Sequence, residues 1–176
     1  FVEKICELRL NRKLGLEIHG EGEPLIKDPA DKSWSGISLP WMSIGYEVKL
    51  TPMQILTLYN AVANNGIMVK PHFVKGIMEN EKVVETKNTE ILNPAICSKE
   101  TLTKLRKMLE GVVLNGTATN IKNDNYSIAG KTGTAQTNYS KSKKGTEKMK
   151  YQASFVGYFP ADKPKFSCIV VINNPS

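Results

Sequence analysis

The chain has 176 residues and a formal net charge of +7, with 40% hydrophobic and 23% charged residues. This composition is typical of a globular protein and excludes disordered, collagen-like and coiled-coil chains. No stretch approaches the roughly 18 consecutive apolar residues of a membrane-spanning helix. The four charges within residues 1–10 also exclude a signal peptide there.

Residues 1–14 are predicted to form a helix, because apolar residues recur at Phe1, Ile5 and Leu8 with charges between them. Gly15 can end that helix. Residues 16–39 are rich in glycine, proline, aspartate and serine, so we expect them to be mostly loop.

The clearest helix begins at Thr51. The run Thr51-Pro52-Met53-Gln54 has the form of a capping box, in which the threonine and glutamine side chains each bond the other residue's backbone N–H. Asn64-Asn65-Gly66 supplies a left-handed stop. The predicted buried stripe of this helix consists of Ile55, Leu58, Tyr59 and Val62.

Two short strands are predicted next, at 68–78 and 82–86, around a turn at Asn80-Glu81. A second capped helix starts at Ser98 and ends at Asn115-Gly116. Its predicted apolar face consists of Leu102, Leu105, Met108, Leu109 and Val112.

The last third of the chain is predicted to be β, with strands at 126–137, 151–159 and 166–172. The last of these is nearly continuous in apolar residues and therefore predicts cover on both faces. Six lysines and one acid lie between Lys131 and Lys150, which predicts a long, solvated hairpin loop, mobile over 140–150.

Nothing in the pattern of cysteines predicts a metal site or a disulfide framework. Cys6, Cys97 and Cys168 are far apart and odd in number, and no Cys-x-x-Cys or Cys/His cluster occurs. We expect free thiols, and we expect the protein to need no metal or cofactor.

One motif could carry chemistry, Gly130-Lys131-Thr132-Gly133-Thr134-Ala135-Gln136. A phosphate-binding P-loop would need glycine at position 125, where the chain has asparagine, and a helix directly after the Lys-Thr pair. The Gly-Thr that follows is a poor helix opening, so a nucleotide site is the weaker interpretation.

The alternative is the Lys-Thr-Gly element of active-site-serine acyl transferases. On a strand, Lys131 offers a cation to a carboxylate, and Thr132 and Thr134 offer hydroxyls from one side. Gly133 between them permits close backbone approach, and a backbone N–H after it can polarise a scissile carbonyl.

The surrounding sequence resembles class B penicillin-binding proteins of the cell-division transpeptidase type. The resemblance covers nearly the whole chain and lies in the segments 1–23, 43–66, 116–118, 129–136 and 153–162. It implies an α/β (α+β) fold of the penicillin-binding-protein and β-lactamase kind, with helices packed on a mainly antiparallel sheet.

The family has three motifs, Ser-x-x-Lys, Ser-x-Asn and Lys-Thr/Ser-Gly, and only the third stands here in context. Ser-x-Asn does not occur, and the one literal Ser-x-x-Lys, from Ser140 to Lys143, follows the third motif in the lysine-rich loop. We interpret it as chance. Residues 1–176 are therefore expected to be the later portion of one transpeptidase domain, truncated at both ends, with the nucleophile upstream and the fragment inactive alone.

The resemblance implies that the parent protein cross-links peptidoglycan stem peptides through an acyl-serine intermediate and binds β-lactam antibiotics. It implies that Lys131, Thr132, Gly133 and Thr134 bind the substrate, that the Thr134 amide forms part of the oxyanion hole, and that Gln136 lies at the cleft edge. It also implies an inner-membrane protein with this domain in the periplasm, division or cell-wall synthesis proteins as partners, and no nucleic acid.

Two other functions stay open at this point, a nucleotide-binding protein and a non-catalytic β-lactam-sensor-type module. The sequence also does not distinguish transpeptidation from carboxypeptidation, which differ only in whether an amine or water takes the acyl group.

Overall fold

A computed structural model of the chain describes residues 1–137 and 148–175. The chain divides into two compact units. The first unit comprises Phe1–Thr57 and Ile67–Ile96, and the second comprises Leu58–Gly66 and Cys97–Ser176.

The first unit is built from short elements. Its helices are α1 (Val2–Glu7), α2 (Ser38–Ser43) and the start of α3 (Pro52–Ala63). Its strands pair antiparallel: β1 (Leu25–Ile26) with β2 (Val48–Lys49), β3 (Met68–Val69) with β6 (Ile91–Asn93), and β4 (Gly76–Glu79) with β5 (Lys82–Thr86). The mainly looped course of 16–39 is confirmed, whereas α2 was not predicted.

Helix α1 is less than half as long as predicted. After its last residue the chain turns at Arg9, whose φ of 59° is left-handed. The N–H of Arg9 donates to the carbonyl of Cys6 at 2.8 Å, and that of Leu10 donates to the carbonyl of Ile5 at 3.2 Å. These two bonds form a Schellman cap. The prediction missed it because the cap uses an arginine where a glycine is the usual signal.

The predicted capping box of α3 is confirmed. The N–H of Thr51 donates to Gln54 Oε1 at 2.9 Å, and the N–H of Gln54 donates to Thr51 Oγ1 at 3.2 Å. The Gln54 side chain is buried, and its amide nitrogen also donates to the carbonyls of Leu10 and Arg12. One side chain thus caps the helix and holds the segment that follows α1.

Helix α3 ends as predicted, at left-handed Asn65 and Gly66 with φ of 54° and 85°. Its buried face is only partly as predicted, because Thr57 and Ala61 are buried together with Val62. The Thr57 hydroxyl donates a hydrogen bond to the carbonyl oxygen four residues back in the same helix. The other members of the predicted stripe are half-buried: Ile55, Leu58 and Tyr59.

The β4–β5 hairpin confirms the predicted turn. Asn80 and Glu81 have φ of 48° and 63°, the two positive values that a type I′ turn requires. The strand predicted over 68–78 is interrupted, however, and β3 pairs with β6 instead of continuing into β4. Pro71 lies in the gap and has no N–H to give to a ladder.

The second unit packs a helix against an antiparallel sheet. It contains α4 (Lys99–Leu114), a 3₁₀ turn (Thr119–Ile121), β7 (Ala129–Gln136), β8 (Tyr151–Phe159) and β9 (Phe166–Asn173). The sheet has the order β7-β8-β9. The predicted strands are confirmed, although β7 begins three residues later than expected. The connection between β7 and β8 joins antiparallel neighbours, as predicted, but residues 138–147, including Ser140 and Lys143, lie outside the described residues.

Helix α4 begins at its predicted cap, where Ser98 Oγ accepts the N–H of Thr101 at 3.2 Å. Leu102, Leu109 and Val113 are buried along one line of the helix. Met108 was predicted on that face and is 64% exposed, so this prediction was wrong. The physical reason is the helical step of about 100° per residue, which carries Met108 away from the line through Leu109.

In the part of the chain that is described, the two faces of the sheet are buried to different extents. Val156 and Tyr158 lie two residues apart on β8 and are 6% and 0% exposed. On the opposite face, Val170 and Ile172 of β9 are 53% and 52% exposed. The prediction that β9 is covered on both faces was therefore wrong for the described residues. An apolar run shows that a strand can be buried, but it does not show which segment covers it.

Candidate functional site

The candidate site is the strand β7, which lies at one end of the sheet order and pairs only with β8 among the described residues. Its register is continuous, with Thr132 opposite Phe155 and Thr134 opposite Ala153. Because side chains alternate along a strand, Thr132 and Thr134 share one face, as predicted. Lys131, Gly133 and Thr134 are exposed and Thr132 is half-buried, so the motif is open to a ligand.

Lys131 places its ammonium group beside Thr132. Its Nζ donates to the carbonyl oxygen of Thr132 at 2.7 Å and lies 3.5 Å from Thr132 Oγ1. Within residues 1–137 and 148–175, no carboxylate forms an ion pair with it. The strand therefore presents a positive charge and a hydroxyl at one point, an arrangement that suits an anionic oxygen ligand.

Thr132 also has a partner outside β7. Its Oγ1 lies 2.6 Å from Oγ1 of Thr117, in the turn that follows α4. Thr117 lies in the segment 116–118 of the family resemblance, and the sequence predicts no role for it. No signal along the chain links residues 15 positions apart, because the pairing depends on how α4 and β7 pack.

Gly133 lies close to a side chain of the neighbouring strand. A Cβ at this position would lie 2.6 Å from Ser154 Oγ. Gly130 is more tightly placed, since its Cβ would lie 2.5 Å from the carbonyl oxygen of Val156. A Cβ on Gly133 would thus meet a side-chain atom of β8, and the predicted role of Gly133 in leaving room for the substrate stays a prediction.

Thr134 and Gln136 stand further along β7, where Thr134 is exposed and Gln136 is half-buried. The oxyanion-hole role of the Thr134 amide and the cleft-edge position of Gln136 stay predictions. The P-loop alternative does not fit, because residues 133–136 continue the strand where a phosphate site needs the start of a helix.

Other kinds of site are not found in the part of the chain that is described. No group of three or more His, Cys, Asp or Glu side chains there could hold a metal ion. Among the same residues, no helix has the length and apolar character needed to span a membrane.

The family model of the penicillin-binding protein transpeptidase domain matches residues 8–176. The chain belongs to this family. The resemblance seen in the sequence is thereby confirmed, and so is the expected combination of helices with an antiparallel sheet.

Individual members of the transpeptidase family align with most of the chain. Stage V sporulation protein D of Bacillus subtilis is 30% identical over 174 residues, which is 97% of this chain and 26% of that protein. The peptidoglycan D,D-transpeptidase FtsI of Buchnera aphidicola is 31% identical, over 99% of this chain and 29% of that protein. The chain thus spans little more than a quarter of the length of these relatives.

A solved structure shows the same fold. Penicillin-binding protein 3 of Mycobacterium tuberculosis in its apo form superimposes with a TM-score of 0.81 and is 26% identical. The match covers 98% of this chain and 40% of that one.

Proposed function

We propose that the protein containing this chain is a serine-type peptidoglycan D,D-transpeptidase and that β7 is the wall of its substrate cleft. In this proposal Lys131, Thr132 and Thr134 bind the terminal carboxylate of a stem peptide. The Thr134 amide polarises the scissile carbonyl in the oxyanion hole, and Gly133 leaves room for the substrate. A serine attacks the penultimate D-alanine, the terminal D-alanine leaves, and the amine of a second peptide takes the acyl group.

The observation that carries this proposal is the position of the Lys131 ammonium. It lies beside the Thr132 hydroxyl at an exposed position of β7, and no carboxylate pairs with it in the described residues. A cation next to hydroxyl donors recognises a carboxylate through charge-assisted hydrogen bonds. The family membership supports the same chemistry.

β-Lactam antibiotics are proposed ligands of the same cleft. The related penicillin-binding protein 3 of Mycobacterium tuberculosis has been solved in complexes with aztreonam and with ampicillin. Ampicillin carries a carboxylate on its fused ring, which Lys131 and the two threonines would bind. The sequence has no Ser-x-Asn, and its one Ser-x-x-Lys follows the third motif, so we propose that the chain alone is not acylated. We further propose a periplasmic location and division or cell-wall synthesis proteins as partners.

The test compares Lys131→Gln with Lys131→Arg in the full-length protein. A charge-assisted contact to a carboxylate contributes about 1.5–3 kcal/mol, so Lys131→Gln is expected to lower the second-order rate of ampicillin acylation roughly 10- to 150-fold. Lys131→Arg keeps the charge and is expected to lose much less, although its planar fork fits imperfectly. The measurement is the acylation rate on proteins of matched melting temperature.

The control is this chain alone, which is expected to gain no mass with excess ampicillin by intact mass spectrometry. If Lys131→Gln is acylated as fast as wild type, Lys131 does not bind the substrate carboxylate. The proposed role of β7 would then be refuted. A stoichiometric adduct on the isolated chain would contradict the assignment of the nucleophile to another part of the protein.

A further inference from the structure

Thr117 and Thr132 form a short pair of hydroxyl groups. Their Oγ1 atoms are 2.6 Å apart, within the range for an O–H···O hydrogen bond. Thr132 belongs to the proposed carboxylate site, whereas Thr117 lies in the turn between α4 and the 3₁₀ turn. Thr117 is therefore placed to act on the site through Thr132.

The backbone on both sides of Thr117 is held by the last turns of α4. A Cβ on Gly116 would lie 2.8 Å from the Cα and the carbonyl oxygen of Val112, so the chain passes the helix without room for a side chain. Ala118 is only 2% exposed, and its N–H donates to the carbonyl of Val112 at 3.1 Å. The fold thus fixes the backbone position from which the Thr117 side chain extends.

The direction of the hydrogen bond between Thr117 and Thr132 decides whether Thr132 can donate to a ligand. A threonine hydroxyl has one proton to donate and can accept two hydrogen bonds, whereas the Lys131 ammonium can only donate. If Thr132 gives its proton to Thr117, it has none for a carboxylate. If Thr117 donates instead, the Thr132 proton is free to point at the ligand.

We infer that Thr117 is a positioning residue, which donates its proton to Thr132 and so directs the Thr132 proton to the carboxylate of the substrate. This inference rests on the proposed function of β7. Consecutive hydrogen bonds from Thr117 to Thr132 to an anion polarise one another, so the second strengthens when the first is made. Thr117 itself does not touch the substrate.

The test is a double-mutant cycle in the full-length protein. Thr117→Val keeps the shape of the side chain and removes the hydroxyl, and it is expected to lower the second-order rate of ampicillin acylation about 3- to 10-fold. Thr117→Ser keeps a hydroxyl and is expected to retain most of the wild-type rate. In a Thr132→Val background, Thr117→Val is expected to cost nothing further, because the two residues act as one unit.

The control is Thr119→Val, an exposed threonine two residues away for which no change in rate is expected. Thr117→Ala gives a second variant without the hydroxyl, should the valine disturb folding. If Thr132→Val slows acylation but Thr117→Val does not, or if the two losses simply add, the inference is wrong. If Thr132→Val itself has no effect, the proposed carboxylate site fails instead.

Discussion

The carboxylate of Glu21 holds a turn of the backbone in the first unit, and this contact can be tested by itself. Its Oε1 accepts the N–H of Leu14 at 2.6 Å, and its Oε2 accepts those of Gly15 and Leu16 at 3.0 and 2.9 Å. Three donors converge on one anion, so the negative charge strengthens every bond.

We expect Glu21→Gln to break this arrangement although the two side chains have the same shape. The amide oxygen can keep Gly15 and Leu16, but the NH₂ group then faces the N–H of Leu14, a donor against a donor. Leu14 is 7% exposed, so water cannot easily replace the lost partner. A hydrogen bond to a charged group contributes about 1.5–3 kcal/mol. The lower half of this range applies here because Glu21 is partly exposed to solvent.

The assay is amide hydrogen exchange at Leu14, Gly15 and Leu16, which reports local opening without assuming a single unfolding transition. A loss of about 1.5–2 kcal/mol corresponds to exchange roughly 10- to 30-fold faster. Glu23→Gln is the matched control, because Glu23 is 74% exposed and pairs only with Lys13 among the described residues. In Glu23→Gln we expect the amides of Leu14, Gly15 and Leu16 to exchange at wild-type rates.

The same contact predicts a pH dependence. Burial by itself would raise the pKa of Glu21, but the bonds from the backbone N–H groups of Leu16, Leu14 and Gly15, with the charge of Lys13, hold it below 4.5. A lowered pKa means that the stabilisation is complete above pH 4.5 and is lost as the pH falls through the folded pKa. The difference between wild type and Glu21→Gln should therefore shrink in acid. Equal exchange in both proteins at neutral pH would refute the anchoring role.

Three further substitutions test the packing of the sheet. Gly130→Ala is expected to lower the free energy of unfolding by about 1–3 kcal/mol, since the new methyl meets a backbone oxygen. Gly133→Ala should cost less, because the Ser154 hydroxyl that it meets can rotate; equal losses in urea denaturation would contradict this. Tyr158→Phe should not destabilise the protein, because the buried Tyr158 hydroxyl has no hydrogen-bond partner in the described residues, and a lower melting temperature would show a partner.

The parts of the fold that the sequence predicts best depend on residues that are adjacent along the chain. The capping box at Thr51 and Gln54 needs only four consecutive positions, and the turn at Asn80-Glu81 needs two residues that tolerate positive φ. The strand that carries Lys131 was predicted from its small and β-branched residues. Each signal lies within the element it defines.

The errors have a different physical origin. Arg9 takes the left-handed place at the end of α1 because the backbone bonds of the cap outweigh the modest cost of a side chain there. Met108 and the exposed face of β9 show that hydrophobicity does not by itself decide burial. The Thr117–Thr132 pair depends on packing between distant segments, so the predicted site lacked it.

The exposed face of β9 has a consequence for handling the chain in solution. Val170 and Ile172 stand on a strand at the outer end of the described sheet order, where backbone N–H and C=O groups can pair with another chain. Such a strand favours self-association of the isolated chain, and the net charge of +7 opposes it by repulsion between copies. Salt weakens that repulsion, so low ionic strength should keep the isolated chain in solution better than high ionic strength.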